Sequence, residues 1–190
     1  MHALRLTGIV LIVGAILFLI AAFMPLSMAV YTEPSPEMRL AAIEAAGIMW
    51  HVQHLLFATG ILATIAGVGL VAVHFHRQSS AGWLYLALIA FAASAFTAMP
   101  WLYLRATDPQ GWTAGLHPAW LFLSYTFLTQ GGLFLLGLAW LNSALPRWPG
   151  WLMLGSAALL FIVTVITGDM PPFLYYLLTL VAGIVLYRAG

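Results

Sequence analysis

Six apolar runs free of charged residues divide the chain, near residues 6–23, 49–73, 82–104, 118–141, 151–167 and 173–187. At 1.5 Å per residue, helices of this order reach across about 30 Å of hydrocarbon. Strands of a membrane barrel would be about 10 residues long and would alternate apolar with polar side chains. Stretches such as Ile9–Ala22 do not alternate. The pattern predicts an all-α fold: one integral membrane domain over residues 1–190, a bundle of six transmembrane helices.

The polar punctuation refines this. Residues 32–47 form the only long connection. Within it, Ser35-Pro36-Glu37 reads as an N-cap, a first-turn proline and a first-turn acid. A short helix over residues 38–46 is expected there, lying on the outer face, with Gly47 separating it from the second span. The remaining loops are short, so consecutive helices should be antiparallel neighbours. The first run admits a rival reading, because Met1–Arg5 resembles a basic leader and Ser27-Met28-Ala29 a cleavage site. A signal core has only 7–15 apolar residues, and the run 6–23 is longer, so a retained helix is expected.

Spans two and three also resemble spans four and five. His51-Val-Gln-His54 aligns with His117-Pro-Ala-Trp120, Gly82-Trp83-Leu84 with Gly150-Trp151-Leu152, and Met99-Pro100 with Met170-Pro171. The offset grows along the alignment. A duplicated hairpin would make two parallel repeats about an axis along the membrane normal. It would set His51 and His117 at equivalent positions.

Composition narrows the functional classes. The 190 residues are 64% hydrophobic and 6% charged, against about 25% charged in soluble domains. That excludes a soluble globule, a disordered chain and a nucleic-acid-binding domain. The chain has no lysine and no cysteine, which removes Schiff-base chemistry, thiolate metal sites and disulfides. Abundant Ala, Gly, Leu and Arg without lysine suggests a GC-rich bacterial genome, hence a bacterial cytoplasmic (inner) membrane.

Charge then gives direction. With both termini cytoplasmic, the inner segments carry Arg5, Arg77, Arg147 and Arg188. The outer ones carry Arg39 and Arg105 with all five acids, Glu33, Glu37, Glu44, Asp108 and Asp169. Four arginines against two is a positive-inside bias. Tryptophans fall near the span ends, Trp50, Trp101, Trp112 and Trp120 at the outer level and Trp83, Trp140, Trp148 and Trp151 at the inner, reading as two interfacial belts.

Candidate chemistry is sparse. No charged residue sits in the middle of a span, which weighs against ion-coupled transport and pumping. Gln130 is the most polar deep residue and suits a bond between helices. His74 and His76, two apart on a helix end, are a poor metal pair. The outer histidines offer more. His51 and His54 are three apart on one helix face, His117 lies at the same level, and Glu44 joins them if the helix runs on through Gly47. Such a set could hold Zn²⁺ or Cu²⁺, and Met49, Met99 and Met170 nearby would suit Cu(I). Alternatively, His51 and His117 would be axial ligands of a haem b between bundle helices. A polar mouth for a quinone or lipid headgroup is a third use. No catalytic motif is present, and an enzyme is not expected. The classes left are a ligand-binding protein of this outer mouth, such as a redox or accessory subunit, a structural or assembly subunit contacting only lipid and other membrane subunits, and a carrier of lipid or small molecules.

Overall fold

The computed structural model describes residues 2–190. Nine helices follow one another among them: α1 (His2–Ala22), α2 (Pro25–Thr32), α3 (Pro36–Ala46), α4 (Ile48–His74), α5 (Ala81–Thr107), α6 (Pro109–Thr113), α7 (Ala119–Leu141), α8 (Trp148–Thr167) and α9 (Phe173–Ala189). Five of them, α1, α4, α5, α7 and α8, are long and apolar enough to cross a membrane. The sixth expected span, α9, is apolar but only 17 residues long, about 26 Å at the helical rise.

The connections obey local chemistry. The Ser35 side chain accepts the Met38 N–H at 3.1 Å and Pro36 opens α3, as the sequence predicts. Gly47 then adopts φ 52° and ψ −124° and breaks the chain between α3 and α4. The helix therefore does not run from Glu44 to His51, and that part of the expected ligand set is corrected. Asp108 caps the five-residue α6, its carboxylate accepting the Gly111 N–H at 2.9 Å, with Pro109 in the first turn. Gly168, left-handed at φ 69°, ends α8 ahead of Pro171 and Pro172. Pro100, by contrast, lies inside α5, which continues to Thr107. The two Met-Pro pairs that suggested a duplication thus occupy different places, one within a helix and one between two.

The long helices form a ring in the order α9, α1, α4, α5, α7, α8, each packed on the next, with only a light contact between α8 and α9. Lipid tails are as apolar as leucine, so helices in a membrane associate mainly through close packing and hydrogen bonds. Both are present. A Cβ on Gly8 of α1 would lie 2.6 Å from the Gly183 carbonyl oxygen of α9, and one on Gly60 of α4 would lie 2.9 Å from the Gly14 carbonyl oxygen of α1. Gly137 and Gly150 bring α7 and α8 together in the same way.

Across the ring, Gln130 of α7 donates from Nε2 to Thr164 Oγ1 of α8 at 2.8 Å and to the Tyr175 hydroxyl of α9 at 2.9 Å. The Tyr125 and Tyr176 hydroxyls lie 3.2 Å apart, and Tyr176 stacks on Phe18 of α1 at 3.6 Å. These contacts tie α9 to α7 and α8 where direct packing is thin. The outer surface is apolar, with Ile9, Val13, Ile16 and Ile20 exposed on α1 and Phe161, Ile162, Val165 and Ile166 on α8. That is the inverse of a soluble helix.

Candidate functional site at the capped end

At one end of the ring the chain folds back over its own mouth. The end of α1, the start of α4, the end of α5 and the starts of α7 and α9 meet there under α2, α3 and α6. Gln53 of α4 anchors this cap. Its Nε2 donates to the Ala21 carbonyl at 2.9 Å and to Ser27 Oγ, while the Ser27 hydroxyl also donates to the Ala21 carbonyl, at 2.7 Å. Val30 of α2, Ile43 of α3 and Trp50 of α4 form a small buried cluster that holds the lid elements together.

The centre of this end is Arg105, in the last turn of α5 and only 1% exposed. Its guanidinium carbon lies 4.3 Å from the ring centre of Trp112, 4.5 Å from Trp101, 5.4 Å from Tyr31 and 5.6 Å from Trp50. Nη2 donates to the Tyr31 hydroxyl at 2.6 Å, and the Trp50 indole N–H donates to the Arg105 carbonyl at 3.0 Å. Aromatic faces and the negative end of α5 both favour the cation. No carboxylate of the described residues pairs with it, and its buried Nε–H has no partner. Three tryptophans of the expected outer belt, Trp50, Trp101 and Trp112, therefore turn inward around an arginine, while Trp120 stays exposed.

Arg105 borders a cavity of about 700 Å³. Its walls are mostly apolar, with Phe18, Phe57, Trp101, Phe122 and Phe173 prominent, and it reaches Tyr125, six residues into α7. Arg39, Tyr31, His117 and Asp169 supply the polar rim with Arg105. A cavity of this volume lies within the range of about 300–1,000 Å³ that takes drug-sized ligands, and an apolar chamber with a few convergent polar groups is the usual form.

The expected ligand residues are dispersed. His51 is exposed, and Glu44 is exposed on α3 beyond the Gly47 break. His54 is buried but turns from the cavity, its Nδ1–H donating to the Trp50 carbonyl at 2.7 Å and its ring edge-on to Trp50. His117 is half-buried on the rim and donates from Nε2 to Asp108 Oδ2 at 3.1 Å. Among the described residues no three metal-ligating side chains gather. The convergence of His51, His54 and His117 on the interior is corrected: Trp50, Gln53, His54 and Phe57 form the inward stripe of α4, and His51 falls outside it. His117 alone of the three lines the cavity. The Asp108 carboxyl is held below its ordinary value, first by the Gly111 N–H and then by the His117 ring.

Fold and composition together define a polytopic integral membrane protein with all-α architecture. No protein-family model matches the chain, and no curated protein or solved structure does. Function therefore turns on the chemistry of the site itself.

Proposed function

We propose that this protein binds a small amphiphile in the cavity of its capped end. The observation that carries the reading is that apolar chamber, open toward a rim of Arg39, Arg105 and Tyr31. An apolar body is favoured inside by burial, and a polar end would meet the rim groups. The activity is that of a binding or carrier protein, acting alone or as an accessory subunit among other membrane proteins. In this reading α9 acts as a sixth span. The capped end faces outward from a bacterial inner membrane with both termini cytoplasmic, supported by four arginines at the opposite end. Haem b, Zn²⁺, Cu²⁺ and quinone are narrower forms of the same idea; of the residues named for a metal or haem, His117 and Met170 line the cavity, as does Asp169.

The test is extraction and mass spectrometry of the purified protein, with a visible spectrum and metal analysis of the same sample. One stoichiometric organic molecule is expected, and it should be lost from Ala22→Phe, whose new ring fills the chamber. A Soret band or a stoichiometric metal would select the haem or metal form. Nothing bound above the lipid background, in either protein, would refute the reading and leave a structural subunit. Cysteines placed at Ser35 and Ser79 should react with an impermeant reagent from opposite sides; reaction of both from one side would overturn the topology.

A further inference from the structure

We infer that the amphiphile carries an anionic head, a carboxylate or phosphate, and that Arg105 is the residue that binds it. The inference rests on the cavity reading above. Its ground is the state of the guanidinium. Trp101 and Trp112 lie closest to its carbon, at 4.5 and 4.3 Å, so aromatic rings rather than carboxylates surround the cation. Tyr31 takes one of the five N–H groups, and Nε is buried with no acceptor at all. A buried charge with one donor left empty lacks the carboxylate partner that normally makes such burial tolerable.

The charge around the chamber points the same way. Arg105 and Arg39 line it, against the single carboxylate of Asp169. His117 does not add a free donor from Nε2, because that nitrogen is engaged by Asp108, which lies off the lining. Arg39 adds a second positive charge to the lining, although its Nε already donates to the Glu33 carbonyl at 2.8 Å, and a guanidinium fork matches the oxygens of a carboxylate or phosphate in pairs. A neutral head would accept a hydrogen bond but leave the charge uncompensated, and a cationic one would be repelled. Phe18, Phe57 and Phe122 would surround the chain of such a ligand. Tyr31 is exposed and lines the cavity; on ligand entry it would swing aside and surrender its hydrogen bond.

The test reads quenching of tryptophan fluorescence in non-ionic detergent, at about pH 8 where a carboxyl head is ionised. The probes are ω-bromoundecanoate and ω-bromoundecanol, whose bromine would lie among the aromatic walls. Saturable quenching by the acid is expected, with the alcohol at least about tenfold weaker, the scale of a lost charge-assisted pair. Unlabelled undecanoate and undecyl phosphate should displace the probe, and the tighter of the two names the head. Inorganic phosphate should not displace it; displacement by the free ion as effective as by the alkyl phosphate would overturn the amphiphile. Arg105→Gln should abolish the preference for the acid, with Arg105→Lys keeping part of it. Should Arg105→Gln not fold, the acid-against-alcohol comparison in the unaltered protein still decides. Equal quenching by both probes would refute the anionic head while leaving the cavity reading intact. Quenching by neither would refute the cavity reading itself.

Discussion

The contact between α1 and α9 is the sharpest quantitative claim of the fold, and Gly8→Ala tests it. The added methyl would stand 2.6 Å from both the Gly183 carbonyl oxygen and the Tyr187 backbone nitrogen, and 2.9 Å from Tyr187 Cα. Ordinary contact begins at 3.4 Å, so the helices must separate by about 0.8 Å, and no side chain can yield because the obstacles are backbone. A gap of that size forfeits roughly a quarter to a half of the dispersion energy of the atoms it parts. Overpacking of this kind costs about 1–3 kcal/mol, and the backbone obstacles place Gly8→Ala toward the upper end. Gly155→Ala is the control. Gly155 is exposed in α8, and nothing lies within 4 Å of the point where an alanine methyl would stand. There alanine should leave stability unchanged or raise it by up to about 1 kcal/mol through helix propensity. Reversible unfolding in mixed micelles, following helix content, measures both. If Gly8→Ala is as stable as Gly155→Ala, α1 and α9 are not in backbone contact and the ring order is wrong.

Two further outcomes follow from the polar contacts. Gln130→Leu removes the bonds to Thr164 and Tyr175, and at about 0.6 kcal/mol per bond within a membrane it should cost about 1 kcal/mol in the same unfolding assay; an unchanged midpoint would show that this bridge does not hold α9. The Asp108 carboxyl titrates below its ordinary value because Gly111 and His117 favour its charged form, so its support of α6 is complete above about pH 4, the unfolded value, and is lost as pH falls through the lower folded value. Trp112 emission should shift on acidification, and Asp108→Asn should lack that step; an identical acid transition in the variant would assign it elsewhere.

Much of the framework is readable from sequence because long uncharged runs leave a helix no alternative in hydrocarbon. The ends of α4, α5 and α7 fall within a few residues of the runs, and Ser35 with Pro36 marks the start of α3. The missed elements have identifiable causes. The eight residues of α2 continue the first apolar run after a break at Phe23–Met24, so they look like its tail. The five of α6 are signalled only by Asp108-Pro109, a cap that is easily taken for a loop. Arg105 counts as a surface charge in any topology argument, and tryptophans at span ends count as interfacial anchors. A local signal was nonetheless available, since Trp101 and Arg105 are four apart on one face of α5. What no spacing reveals is that Trp50, fifty-five residues away in sequence, and Trp112 close on the same guanidinium, because that depends on the order of helices around the ring.

The capped end departs from the packing that stabilises the rest of the ring. Elsewhere the interior is held by glycine contacts, apolar packing and the uncharged network of Gln130 with Thr164 and Tyr175. At the cap, a full positive charge replaces an apolar side chain that would fit the same aromatic surroundings. Cation–π contacts of roughly 0.5–2 kcal/mol each and one bond to Tyr31 offset its desolvation in part, and the Nε–H remains unmet. Exchanging a buried ion for apolar packing is often neutral or stabilising, so stability alone would not retain Arg105 here. Specific orientation of the lid is one return on it, through the Trp50 bond to its carbonyl. Yet that bond uses only the backbone of residue 105 and would survive any side chain. The anionic ligand proposed above would account for the guanidinium itself.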